Sequence, residues 1–142
     1  MNAYADASLL GSLYIADANS ARASAKITKA QLPLLVSSLS EVELTNALSL
    51  WVFRKRISVL EARSAFELFE KDVAEGVFLL RSVPANAYER ARHIAQTQTP
   101  LLGTRSLDLL HVACAQSLQA TRFYTFDARQ AKLAEAEGLE LA

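Results

Sequence analysis

The sequence predicts an α/β domain, a mostly parallel sheet of about five strands with helices on both faces. Three observations predict it. Short β-type runs alternate with longer helical segments along the chain. Parallel strands need long crossovers, and right-handed helical crossovers cover the sheet. The length of 142 residues, 51% of them hydrophobic and 21% charged, suits one core and a single domain over residues 1–142.

The elements follow in order. Asn2 to Ala5 reads as a first strand, and Asp6-Ala7-Ser8 has the polar character of a strand-to-helix turn. Leu9 to Ile15 has helical spacing, and Asp17 to Lys29 reads as an alanine-rich helix with Asp17 or Asn19 as cap, stopped before Pro33. Leu34 to Ser37 is a short β-type run. Ser40 is then expected to cap a helix to about Lys55, with Glu43 three residues on as its capping-box partner. Ser58 opens another helix that Gly76 ends, and Val77 to Val83 is the third strand, closed by Pro84.

Ala85 to Gln98 is amphipathic, while Thr97 to Arg105, which contains Pro100 and Gly103, is expected to be irregular. Leu107 to Leu118 is too apolar for a surface helix. Arg122 to Thr125 is a fourth strand rich in β-formers, Asp127 to Ala136 a short helix stopped by Gly138, and Leu139 to Leu141 the last strand. The sequence contains no internal repeat and no low-complexity linker.

Composition narrows the function classes. Fifteen basic and fifteen acidic side chains leave no net charge, which argues against coating nucleic acid through bulk electrostatics, so any such contact is local. The lone cysteine, Cys114, lies in an apolar run and has no partner for a disulfide or thiolate cluster. No stretch is long and apolar enough to span a membrane and no leader pattern precedes the domain, so a soluble, cytoplasmic protein is expected.

The acidic residues are the informative ones. Of five aspartates, Asp6, Asp108 and Asp127 stand at element boundaries beside apolar segments, whereas glutamates such as Glu61, Glu67, Glu70 and Glu75 lie on solvated helix faces. In parallel sheets the ligand sits beyond the carboxyl ends of the strands, which is where Asp6 and Asp127 fall. They become neighbours if the first and fourth strands pair; Asp108 and Glu43 can reach the same edge. Clustered carboxylates stay ionised at neutral pH when cations neutralise them, and all-oxygen ligands favour Mg2+ or Mn2+.

Four segments carry a family resemblance: Tyr4-Ala5-Asp6-Ala7-Ser8; Ser40 to Leu48 around Glu43; Arg105 to Ala113 around Asp108; and Tyr124 to Gln130 around Asp127. In this order and spacing they resemble the PIN domain, and within it the VapC-type toxin nucleases. The resemblance implies a PIN-like three-layer fold and a metal-dependent endoribonuclease with Asp6, Glu43, Asp108 and Asp127 as catalytic metal ligands. Glu41 is the rival of Glu43. It also implies that Thr125, Ser8 and Thr104 lie near the metal or the scissile phosphate. Two cations about 4 Å apart would activate water and stabilise the phosphate's developing charge, leaving a 5′-phosphate and a 3′-hydroxyl. Arg105, then Arg129, are placed to hold RNA, with Arg54-Lys55-Arg56 reaching more distant phosphates. The implied partners are RNA, most often transfer RNA, a small antitoxin protein and a second copy in a homodimer, with no membrane.

Each of these residues also has a plain structural explanation. Asp6, Asp108 and Asp127 fit helix caps and Glu43 half of a capping box. His111 reads as a core histidine bonded to a neighbour, His93 as surface, and Trp51, Phe66 and Phe69 as core or interface. The alternative function is a PIN-like module that binds RNA or protein without cleaving. A phosphoaspartate enzyme fits poorly, since the position two residues after Asp6 is Ser8.

Overall fold

A computed structural model describes residues 2–142. Its elements are β1 (Ala3–Ala5), α1 (Ala7–Tyr14), α2 (Ser20–Lys29), β2 (Leu34–Ser37), α3 (Ser38–Phe53), α4 (Val59–Ala74), β3 (Phe78–Arg81), α5 (Ala85–Leu102), α6 (Ser106–Ser117), β4 (Arg122–Tyr124), α7 (Ala128–Ala136) and β5 (Glu140–Leu141). The strands form one sheet of order β3-β2-β1-β4-β5, and every pairing is parallel. The chain leaves β1 first toward β2 and β3 and later returns to its other side with β4 and β5. That reversal makes the carboxyl end of β1 the switch point of the sheet, where a crevice opens.

Alternation along the strands builds two cores. Ala3, Ala5, Leu34, Val36, Phe78 and Tyr124 pack with helices α1 to α4, whereas Tyr4, Leu35 and Phe123 point to the other face and pack with α5 to α7. Side chains of period two thus feed both layers. Tyr4, Phe69, Phe78 and Phe123 are essentially inaccessible, and truncating one of them to alanine costs about 3–5 kcal/mol. Phe69 therefore belongs to the core, while Phe66 only packs against its edge. Cys114 is buried in the α5–α7 core, and His93 is exposed.

Three local expectations need correction. The cap of α3 is Ser37, whose hydroxyl accepts the Ser40 backbone N–H while the Ser40 hydroxyl accepts that of Ser37, so the capping box is Ser37/Ser40 and Glu43 lies in the second turn. Two serines three residues apart satisfy the same pattern, and the strand ends one turn earlier than Ser40 requires. Helix α5 continues through Pro100 to Leu102, where Gly103, with φ of 63°, donates its N–H to the Thr99 carbonyl. A proline in the final turn removes few helical bonds, and the left-handed glycine closes the end. Helix α2 begins at Ser20, and the Asn19 side chain makes no capping bond; Asp17 instead accepts the Asn19 N–H in the preceding turn.

Candidate active site

Each expected acidic residue follows from its element. Asp6 ends β1 and caps α1: its Oδ1 accepts the N–H of Ser8 at 3.0 Å and of Leu9 at 3.4 Å. Asp127 follows β4 and caps α7 in the same way, Oδ1 accepting from Arg129 and Gln130 at 2.8 and 3.1 Å. Since β1 and β4 are paired in parallel, the two caps stand at adjoining strand ends. Asp108 lies in the first turn of α6, its Oδ2 accepting the Arg105 N–H at 3.4 Å. Glu43 projects from α3, and its Oε1 accepts from His111 Nε2 across the top of the sheet.

The surroundings of these carboxylates differ. Asp6 is only 4% exposed, in a cradle of hydroxyls: Ser8 Oγ donates to Oδ1 at 2.6 Å and Thr125 Oγ1 to Oδ2 at 2.5 Å. The same hydroxyls accept the backbone N–H groups of Phe126, at 2.8 Å, and Asp127, at 3.0 Å. Ser8 and Thr125 therefore clamp Asp6 to the β4–α7 turn. Burial pushes the Asp6 carboxyl above the usual carboxylate range, opposed by nearby His111 and the hydroxyl bonds. Burial also raises Asp108, with the Asp127 charge adding to the shift and the Arg105 N–H and guanidinium and His111 opposing it.

An open cleft above the β1 end is lined by Ser8, Asp17, Glu43, Trp51, Phe126 and Asp127 among others. Of the expected site residues, Glu43, Asp127 and Ser8 line this cleft, whereas Asp6, Asp108, Thr104, Arg105, Thr125 and Arg129 are not on its wall; the Thr104 hydroxyl pairs with that of Thr99 at 2.7 Å. Arg105 and Arg129 are exposed beside Asp108 and Asp127. Among the described residues, no three His, Cys, Asp or Glu side chains are gathered closely enough to ligate one ion by themselves. The donor chemistry nevertheless fits a hard divalent cation. Among the described residues, Oε2 of Glu43, Oδ1 of Asp108 and Oδ2 of Asp127 accept no hydrogen bond, so each presents a free anionic oxygen.

A family model for the PIN domain matches residues 3–136, nearly the whole chain. The chain belongs to the PIN-domain family. Solved structures with this fold include VapC20 of Mycobacterium tuberculosis, a sarcin–ricin-loop-cleaving toxin, at a TM-score of 0.72 and 17% identity over 98% of both chains. VapBC2 of Rickettsia felis, bound to a DNA fragment from its promoter, matches at 0.69 and 15% identity over 100% of this chain and 98% of that one. FitAcB of Neisseria gonorrhoeae matches at 0.68 and 12% identity over 98% of this chain and 95% of that one. No curated protein matches the sequence significantly.

The sequence named His111 and Trp51 but not their place in this PIN domain's site, and it did not single out Phe126. His111 is buried, as expected of a core histidine, but its partner is Glu43. Its position one turn beyond Asp108 on α6 was the available signal. Trp51 and Phe126 reach the cleft, and Arg56 and Arg22 lie over their rings at 5.8 and 5.2 Å. Nothing in their local spacing separates such a wall from ordinary core.

Proposed function

We propose that this PIN domain is a metal-dependent endoribonuclease and the toxin of a type II toxin–antitoxin pair. The observation that supports the reading is that Asp6 and Asp127 cap the helices following the paired strands β1 and β4, that Glu43 and Asp127 line one cleft there, and that Glu43, Asp108 and Asp127 each keep an oxygen that accepts no hydrogen bond among the described residues. These four would hold Mg2+ or Mn2+, which when bound lowers the pKa of a coordinated water and stabilises negative charge on a phosphate. The chain's own contribution is orientation. Ser8 and Thr125 fix both oxygens of Asp6, and the caps of α1 and α7 fix the two aspartates relative to the backbone. Arg105 and Arg129, exposed at the rim, attract the phosphodiester backbone.

A divalent-metal mechanism of this kind activates a water and does not use the ribose 2′-hydroxyl. Water is therefore the expected nucleophile, with a 5′-phosphate and a 3′-hydroxyl as product ends. The substrate class is RNA, with transfer RNA and ribosomal RNA loops the first candidates; VapC20, of the same fold, cleaves the sarcin–ricin loop. The proposed partners are a small antitoxin, in keeping with the VapBC2 neighbour, and a second copy of the chain. No helix among the described residues is long and apolar enough to cross a membrane, and a cytoplasmic location is part of the proposal.

Purified protein incubated with RNA and Mg2+ or Mn2+ tests this reading, beside Asp6→Asn and Asp108→Asn. Cleavage that needs the metal and is lost in both variants supports it. Specific RNA retention with no cleavage under any metal supports a binding module instead.

A further inference from the structure

Three of the four site carboxylates are held locally. Asp6, Asp108 and Asp127 are short side chains whose oxygens accept backbone N–H groups of their own helix starts. Glu43 has no such support. It projects from the second turn of α3, carries an extra rotatable bond, and accepts no backbone hydrogen bond among the described residues. Its one partner is His111 Nε2, which arrives from α6 on the opposite face of the sheet.

Behind His111 the contacts continue into the core. His111 Nδ1 lies 2.7 Å from the Tyr4 hydroxyl, which lies 2.7 Å from Ser37 Oγ and 3.3 Å from Ser40 Oγ. Tyr4, Ser37 and Ser40 are inaccessible and His111 is 3% exposed. The Tyr4 ring is fixed by stacking on Phe123, with centroids 5.5 Å apart. A buried polar chain of this kind is costly unless every member is satisfied, and a consistent assignment satisfies all of them. An ionised carboxylate only accepts, so Nε2 carries a proton toward Glu43. In a neutral ring Nδ1 then accepts from the Tyr4 hydroxyl, which accepts from Ser37; in an imidazolium Nδ1–H donates to the Tyr4 oxygen, which donates to Ser37; in both, Nε2–H faces Glu43.

We propose that His111 is a positioning residue for Glu43, and that Tyr4 orients it by holding the ring with its Nε2–H toward the carboxylate. The inference rests on the reading of Glu43 as a metal ligand given above. Ordering a glutamate otherwise free to rotate lowers the entropy lost on metal binding. The relay links the two ends of β1–β2: Tyr4 is two residues before Asp6, and Ser37 caps the helix that carries Glu43.

The test combines Mn2+ titration calorimetry with long-range 1H–15N spectra of histidine-labelled protein. The wild type is expected to show a proton on His111 Nε2, whether the ring is neutral or an imidazolium. His111→Ala should weaken Mn2+ binding about 10- to 100-fold, the usual effect of removing a group that orients a ligand. His111→Gln, which can return one N–H toward Glu43, should recover part of that loss, which a purely space-filling role would not produce. Tyr4→Phe should lose the single protonation pattern and weaken Mn2+ binding several-fold. A neutral Nδ1–H tautomer in the wild type overturns the proposal, as does a folded His111→Ala that binds Mn2+ like the wild type. If the histidine variants fail to fold, the wild-type protonation of His111 and its response to Glu43→Gln decide the matter. A wild type that binds no Mn2+ refutes the metal-site reading itself, while the spectra still report whether His111 and Glu43 are paired.

Discussion

Asp6 and Asp127 occupy the same position in the same local pattern: each follows a strand, each caps the next helix, and their strands are paired in parallel. Asp6 nevertheless lies at the central strand, nearly inaccessible and held through both oxygens, whereas Asp127 stands one strand over, exposed, with one oxygen uncommitted. The difference shows that a cap motif specifies the backbone turn but not the electrostatic state of the carboxylate. That state comes from the sheet position. Burial raises the Asp6 carboxyl, so the folded protein holds this charge at a cost that a bound cation would offset.

The largest expected effect breaks the buried member. Asp6→Asn should reduce RNA cleavage about a thousandfold or more, since a metal's charge stabilisation is worth several kcal/mol at about 1.4 kcal/mol per decade. The same change should stabilise the metal-free protein. Because the folded pKa of Asp6 lies above the unfolded one, its contribution is complete below the ordinary carboxylate range and lost as pH rises through the folded value. With chelator present, Asp6→Asn is therefore expected to melt above wild type at neutral pH and to lose that advantage in acid, as thermal melts across pH would record.

The exposed member separates cap from ligand. Asp127→Ser retains a capping oxygen and should cost at most about 0.5 kcal/mol, yet cleavage should fall at least about tenfold; Asp127→Ala adds the lost cap, about 1 kcal/mol. Parallel melting and cleavage assays distinguish the two contributions. Thr125→Val tests the clamp between the two aspartates. It removes the donor to Asp6 Oδ2 and the acceptor of the Asp127 N–H, and should destabilise by about 1–3 kcal/mol, measured by urea unfolding.

How far the sequence reached follows the same division. The short β-type run Leu34 to Ser37 and the apolar run after Asp108 placed β2 and α6 closely, because a parallel strand buried on both faces and a buried helix each leave a continuous hydrophobic record. Asp6 and Asp127 were legible because strand, aspartate and helix are adjacent in the chain. Glu43 was placed on the right helix but with the wrong cap, since Ser37 and Ser40 satisfy one pattern and only the strand's end chooses between them. Its bond to His111 spans 68 residues and two elements, so no local spacing encodes it. Thr104, adjacent to a motif in sequence, pairs its hydroxyl with that of Thr99, a contact that no local pattern announced. Thr104→Ala is accordingly the smallest expected effect, under about 1 kcal/mol in stability with cleavage unchanged.

The central claim is that these carboxylates together bind a divalent cation. Calorimetric titration of Mn2+ into wild type and into Asp6→Asn tests it most directly. Saturable binding in the wild type, abolished or greatly weakened in Asp6→Asn, is the predicted result; equal heats in the two proteins would contradict it.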